Sequence, residues 1–433
     1  MIFQPELETM PVEERADLQR ARLAQLVERL QRVEGYWAEK LADVVPGDEI
    51  ERLPFTVKRE LLEYYPYGML ALPLEQSVRI HASSGTRHKP TIVAYTAGDI
   101  EVFADVNARS IACAGATPAD VVHVAYGYGL FTGGLGLHYG VERLGATAVP
   151  ASGGNSGFQV QLLADLGARG ICCTPSFAYL LAERAAEEGA LERIQLRYGV
   201  LGAEPWSESL RQKIEEAWGG QFDACDIYGL SEVIGPGVAM ECRENKGGLH
   251  VFDDHFYPEV VDPETGESTD GLGELVLTTL TKEALPVIRF RTGDVTQLLP
   301  GECPCGRTHQ RIARFSGRVD DMLVIRGVNV FPSAIEAALL EHPGVAGQYA
   351  IVVDRRSTMP ELEVHAELAS DDLVGQRDDV QRKLEGVLEE RLLVRVRAVV
   401  ADPGGLPRQE LGKAKRVFER TEEIDELLQL SGD

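Results

Sequence analysis

The sequence predicts an α/β protein: a large N-terminal domain with a mostly parallel, helix-covered sheet plus a β module, and a small α+β C-terminal domain. Three observations carry this. Between Val121 and Tyr228, short apolar β-prone runs alternate with helical patterns, which implies parallel strands covered by helices. Residues 240–315 change to short strands cut by Gly and Asp turns, the pattern of an antiparallel module. Residues 320–433 then hold strands at 346–354, 361–368 and 394–400 around a helix near 374–391, a length that suits an independent domain. The predicted boundaries are 1–319 and 320–433.

In chain order, residues 11–42 read as one amphipathic helix with leucines on one face. Leu53-Pro54-Phe55-Thr56 opens a short helix, with Thr56 as its cap. The predicted parallel strands are Val121–Tyr126, Ala146–Pro150, Gly170–Thr174, Tyr198–Leu201 and Ala224–Tyr228. Helices Gln159–Leu166, Ser176–Glu188 and Ser207–Trp218 lie between them. Ligands on such sheets bind at the carboxyl ends of the strands, so the informative loops are those that follow strands. They are Tyr126–Gly136, Gly202-Ala203-Glu204-Pro205-Trp206 and Tyr228-Gly229-Leu230-Ser231-Glu232. The glycines of the first do not have dinucleotide-binding spacing.

Composition excludes some functions. The 433 residues are 44% hydrophobic and 26% charged, as in ordinary globular proteins. A net charge of −25 argues against nucleic acid or an anionic membrane as partner. No apolar run approaches the ~20 residues of a membrane helix. The N-terminus lacks the basic start of a signal peptide, and seven cysteines is an odd number. Free thiols and a cytoplasmic location are expected.

The segment Arg79–Tyr95 contains Ser83-Ser84-Gly85-Thr86, three hydroxyls around a glycine, with Lys89 close behind. Such a loop can offer N–H groups, hydroxyls and a point charge to a phosphate, and it equally suits a surface turn. It is not a Walker loop.

Six motifs stand in one order: Ser83–Pro90, Gly202–Pro205, Tyr228–Glu232, Arg289–Asp294, Gly317–Asp321 and Gly412-Lys413-Ala414-Lys415. The set resembles the core motifs of adenylate-forming acyl-CoA ligases. Three longer strings, Tyr128–Gly134, Ser231–Ala239 and Ile325–Ser333, are similar to the phenylacetate–CoA ligase family. The first motif departs from the family at Arg87 and His88, where the family has threonine and glycine. The resemblance implies a two-step reaction. A carboxylate and ATP give an acyl-adenylate and pyrophosphate, and the thiol of CoA then displaces AMP.

The resemblance also implies site residues. Phosphates would meet Ser83, Ser84, Gly85, Thr86 and Lys89. Ala203, Glu204, Pro205, Asp226, Ile227 and Tyr228 would frame adenine, with Gly229 and Ser231 beside them. Asp294 would take the ribose hydroxyls, assisted by Arg318. Glu232 would be catalytic and hold Mg²⁺, and Lys413 would be a mobile catalytic lysine swung about a hinge at Asp320. Tyr126, Phe131, Leu137, Ala203, Ile234 and Pro236 would line an apolar acid pocket. The implied partners are a small aromatic carboxylic acid and CoA, in a homodimer. Three outcomes stay open on the residues: a CoA ligase, transfer to an acyl-carrier protein, and a nucleotide- or acyl-binding homologue slowed by Arg87 and His88.

Cys303-Pro304-Cys305-Gly306 follows the β module, and Cys242 and His250 flank a turn upstream. Three sulfurs and an imidazole make a structural zinc set. The same pattern recurs in phenylacetate–CoA ligase-like proteins, with His309 as the alternative nitrogen ligand. Cys113, Cys172, Cys173 and Cys225 lie in apolar segments and are expected in the core.

Overall fold

The computed structural model describes residues 1–83, 90–319, 323–325, 328–356, 360–406, 415–421 and 425–429. Ser84, Gly85, Thr86, Lys89, Asp320 and Lys413 lie outside the described residues, as do Arg87 and His88.

After a single helical turn at Pro5–Glu8, the N-terminal segment holds helix α1 (Val12–Gln31) and, further on, short helix α2 (Lys58–Glu63). The single helix expected over 11–42 is broken, because Gly35 takes φ +87 and restarts the chain as the short helix Tyr36–Lys40. Strands β1 (Arg79–Ala82) and β2 (Ile92–Tyr95) pair as an antiparallel hairpin. Its loop is closed at the base by Ser83, whose N–H donates to Thr91 O (2.9 Å) while its Oγ accepts from Thr91 N–H (3.0 Å). Helix α3 (Ala97–Cys113) follows, capped by Thr96 and Asp99 in a reciprocal capping box.

The alternating region folds as β3 (Val121–Val124), α4 (Thr132–Leu144), β4 (Thr147–Val149), α5 (Ser156–Asp165), β5 (Gly170–Cys173), α6 (Pro175–Glu187), β6 (Tyr198–Gly202), α7 (Glu208–Ala217) and β7 (Asp223–Leu230). Neighbouring strands among β3–β7 pair in parallel. β5 and β6 are buried at every position, which explains their continuous apolar runs.

The expected β module is not one body. β8 (Gly235–Cys242) and β9 (Asn245–Val251) extend the main sheet antiparallel, whereas β10 (Phe256–Val261), β11 (Gly273–Thr279) and β12 (Phe290–Thr296) start a second sheet. The short strands β13 (Leu298–Leu299) and β14 (Arg311–Ile312) return to the main sheet, and β15 (Gly317–Arg318) closes the second. The main sheet thus has nine strands in the order β13-β14-β9-β8-β7-β6-β5-β3-β4. Both groups share alternation and turn chemistry, so sequence pattern cannot assign them to different sheets.

Beyond a hairpin of β16 (Leu323–Ile325) and β17 (Val328–Val330) come α8 (Pro332–Glu341), β18 (Val345–Asp354), β19 (Glu361–Leu368), α9 (Arg377–Leu392), β20 (Val396–Ala401) and β21 (Val417–Arg420). These strands form a separate four-stranded sheet, β20-β19-β18-β21, with its own apolar core. No helix among the described residues is long and apolar enough to cross a membrane.

Candidate active site and metal centre

The carboxyl ends of β3, β6 and β7 bring three of the sequence-selected loops together. Tyr126, just past β3, reaches over β5: its hydroxyl accepts from Gly202 N–H (3.0 Å) and donates to Gly202 O (3.2 Å). Gly202 lies flush against β7, where a Cβ would meet Ile227 O at 2.2 Å. Ala203 takes φ +70, a left-handed backbone that costs a non-glycine residue about 1 kcal/mol and places its peptide at the mouth of the crevice. Glu204 is held by Ser176 N–H in the first turn of α6 (2.7 Å). Pro205 leads into Trp206, whose carbonyl accepts from Arg314 (2.7 Å).

On β7, burial pushes the Asp226 carboxyl up, opposed first by Arg314 at 3.5 Å. Two residues on, Tyr228 stacks on Phe315 with ring centroids 4.3 Å apart. Its hydroxyl donates to Asp294 Oδ2 (2.6 Å), and Arg318 donates to Asp294 Oδ1 (2.7 Å). Asp294 and Arg318 are register partners on β12 and β15, so the second sheet presents them as a pair. Burial, and then the Asp294 charge, raises the Tyr228 phenol well above its usual range. That keeps it a hydrogen-bond donor at neutral pH.

The turn from β7 to β8 carries Gly229, Ser231, Glu232 and Ile234. Gly229 admits no side chain, since a Cβ would lie 1.8 Å from Gly235 O. Ser231 Oγ is 3.4 Å from Thr132 Oγ1 at the start of α4. Glu232 is nearly buried, with the Lys58 ammonium of α2 3.7 Å from its Oε1. Underneath, Lys282 donates to the Glu232 carbonyl (3.5 Å), and Tyr95 OH donates to Ile234 O (2.9 Å). Sequence reasoning misses Lys58, Lys282 and Arg314, which stand outside the motifs and reach the site only through the fold, and it gives Thr132 no role although that residue falls within Tyr128–Gly134.

Of the expected acid-pocket residues, Tyr126 and Phe131 face each other with centroids 6.4 Å apart. Leu137 and Ile234 belong to the main core, and Phe131 and Ala203 pack against it. Pro236 sits against α4, where a Cβ on Gly136 would meet its ring.

The cysteine–histidine cluster lies at the far end of β8. Cys242 ends that strand, His250 lies on β9, and Arg311 of β14 is the register partner of His250. That pairing carries the loop with Cys303 and Cys305 onto the same spot. The four ligand atoms all lie within 4.8 Å of one another. Cys242 Sγ is 3.6 Å from Cys303 Sγ, and Cys305 Sγ is 3.4 Å from His250 Nε2. Tetrahedral zinc bonds of about 2.3 Å to sulfur and about 2.0 Å to nitrogen give edges of roughly 3.5–3.8 Å. The donor set therefore fits the ion. The Cys305 thiol is pulled down to about 2, first by its hydrogen bond with Cys242 and then by His250, and Cys303 is also lowered. Arg307 N–H donates to Cys305 Sγ (3.4 Å). His309 is no alternative: its Nδ1 is 2.7 Å from Asp253, in a buried network compensated by Arg15 and Arg109. The other four cysteines are buried, and all seven are free thiols.

Residues 42–279 match the family model for AMP-binding enzymes, and residues 327–421 match that for the AMP-binding enzyme C-terminal domain. The phenylacetate–coenzyme A ligase of Thermus thermophilus is 46% identical, over 97% of this chain and 99% of its own. That of Escherichia coli K12 is 46% identical, over 95% and 96%. A crystal structure of 2-hydroxyisobutyryl-CoA ligase in the postadenylation state, with an acyl-AMP bound, superposes with a TM-score of 0.90 at 29% identity, covering 99% of this chain and 94% of that one. The same relative in the thioesterification state, with CoA, gives 0.70. The chain belongs to the phenylacetate–coenzyme A ligase family of AMP-binding enzymes.

Proposed function

We propose that this protein activates a small aromatic acid, phenylacetate foremost, as the acyl-adenylate and passes the acyl group to CoA. The protein is an AMP-forming acid–thiol ligase. The observation that supports the aryl-acid reading is 46–48% identity to four phenylacetate–coenzyme A ligases over most of the chain.

The residues have distinct tasks in this reading. Asp294 accepts from the ribose hydroxyls while Arg318 and Tyr228 fix its carboxylate. Ala203, Glu204, Pro205, Asp226 and Ile227 frame adenine, and the Tyr228–Phe315 stack offers a flat face beside them. Glu232 holds Mg²⁺, and the Lys58 ammonium beside it marks a position where a cation is favoured. The ion supplies charge neutralisation at the phosphates. Tyr126, Phe131, Leu137, Ile234 and Pro236 wall the acid. The phosphate roles of Ser84, Gly85, Thr86 and Lys89, the lysine role of Lys413 and the hinge role of Asp320 rest on their motifs. Ser83 closes the base of that loop.

Cys242, His250, Cys303 and Cys305 hold zinc, and four protein ligands leave no open position, so its role is structural. The domain boundary falls between 319 and 320, where the second sheet ends and the small sheet's unit begins. The buried free thiols of Cys113, Cys172, Cys173 and Cys225 support a reducing, cytoplasmic setting. The homodimer is carried as part of the proposal, and light scattering tests it.

The test is pyrophosphate release across a panel of acids, with and without CoA. Phenylacetate-dependent release, with thioester formed only when CoA is present, is expected. Release without any thioester would favour a carrier protein as acceptor, and no release with any acid would favour the binding homologue.

A further inference from the structure

We propose that Glu336 is a positioning residue that latches the C-terminal unit onto the large unit in the arrangement serving adenylation, so that its release sets the balance between the two half-reactions. This rests on the ligase reading above.

Glu336 lies on α8 and is 4% exposed, although it belongs to the small unit's outer helix. Its Oε1 accepts from Ser207 N–H (2.8 Å), and its Oε2 accepts from Tyr349 OH. Ser207 caps α7 of the large unit, so the carboxylate sits at the positive end of a ten-residue helix. One turn along α8, Leu340 enters the large unit's second apolar cluster, with Trp206 and Leu210. Lys213 of α7 donates to Val345 O at the start of β18 (3.0 Å), and burial lowers its ammonium. Gly347 of β18 lies against the Tyr179 ring of α6.

These contacts differ from the packing within either unit. Each polar one joins a charged group to a single partner across the junction, so it is either made or lost as the units move. The released carboxylate and ammonium would reach water, so the latch is reversible rather than permanent. Its partner Ser207 is three residues from Glu204 and next to Trp206, which shares Arg314 with Asp226. The segment that frames adenine is therefore the segment Glu336 grips. The 2-hydroxyisobutyryl-CoA ligase matches this chain at 0.90 in the postadenylation state but at 0.70 in both the thioesterification state and an open conformation. The contacts between α7 and α8 accordingly go with the arrangement in which that relative holds an acyl-AMP, before CoA enters.

The experiment measures both half-reactions separately: acid-dependent pyrophosphate release without CoA, and thioester formation from supplied acyl-adenylate. Glu336→Ala should lower the first about tenfold and leave the second unchanged or faster. Glu336→Gln, which can still accept from Ser207 N–H, should recover most of the loss. Lys213→Ala should shift the ratio in the same direction by less. Equal loss in both half-reactions at an unchanged melting temperature, or no change in either, would overturn the proposal. A second readout does not need catalysis. Fluorophores at Leu166→Cys and Leu393→Cys, both exposed positions in different units, report the inter-unit distance. Glu336→Ala should change its distribution, and an unchanged distribution would overturn the latch. A changed distribution in a protein that releases no pyrophosphate with any acid would sink the ligase reading and leave the latch standing.

Discussion

The proposed nucleotide site and the cysteine–histidine cluster stand at the two ends of one strand, β8, yet they are stabilised in opposite ways. In the nucleotide site the polar groups already have partners: Asp294 is held by Tyr228 and Arg318, Glu204 by Ser176, and Asp226 by Arg314. That site is organised before any ligand arrives. In the cluster the donors face chiefly one another, with sulfurs and an imidazole 3.4–3.6 Å apart. Such a group is satisfied only by a cation. The difference teaches that damage to the first site should appear in kinetics, and damage to the second in stability.

Asp294→Ala is the sharpest way to break that division. It strips Arg318 and Tyr228 of their shared acceptor and removes the proposed ribose contact. Adenylation should fall roughly 100-fold, while the melting temperature changes little. A large drop in melting temperature with proportionate loss of activity would make Asp294 a structural residue.

Cys303→Ser should do the reverse. Zinc content, measured by elemental analysis, should fall from one per chain towards zero, and stability should drop by more than about 2 kcal/mol. Activity of the remaining folded enzyme at low temperature should stay within about threefold of the parent. Wild-type protein purified without chelators yet free of zinc would end the metal assignment.

Lys282→Met gives the smallest effect and probes where the two behaviours overlap. Burial holds the Lys282 ammonium down to about 8, against the attraction of Asp99 and Glu232. Below pH 8 the folded and unfolded lysines are both charged, and the burial penalty is fully present. Between pH 8 and 10.5 the folded lysine is neutral while the unfolded one still carries its proton, so stability rises with pH across that window. The methionine variant should therefore be more stable at pH 7, by up to about 3 kcal/mol, with the gain shrinking towards pH 10. Adenylation should fall about threefold, because the Glu232 turn loses its support. A gain that does not depend on pH would mean that packing, not charge, explains it.

Much of this was legible in the sequence because parallel strands buried on both faces read as apolar runs. Gly170–Cys173 and Tyr198–Gly202 are of that kind. The proposed zinc ligands are legible as residue types, but their meeting depends on the pairing of Arg311 with His250, which no spacing reveals. The strands of residues 240–315 divide between two sheets, which the sequence does not reveal because alternation says nothing about which sheet a strand joins. Lys58, Lys282 and Glu336 carried no motif. Each matters through one partner distant in the chain, and only the folded neighbourhood supplies it.

The central claim is that one protein makes an aryl-adenylate and then a CoA thioester. A single-turnover quench with ATP, Mg²⁺ and phenylacetate, read by mass spectrometry, tests it directly. Phenylacetyl-adenylate should accumulate without CoA and convert wholly to phenylacetyl-CoA and AMP when CoA is added. Failure to form the adenylate, or an adenylate that CoA leaves untouched, would contradict the account.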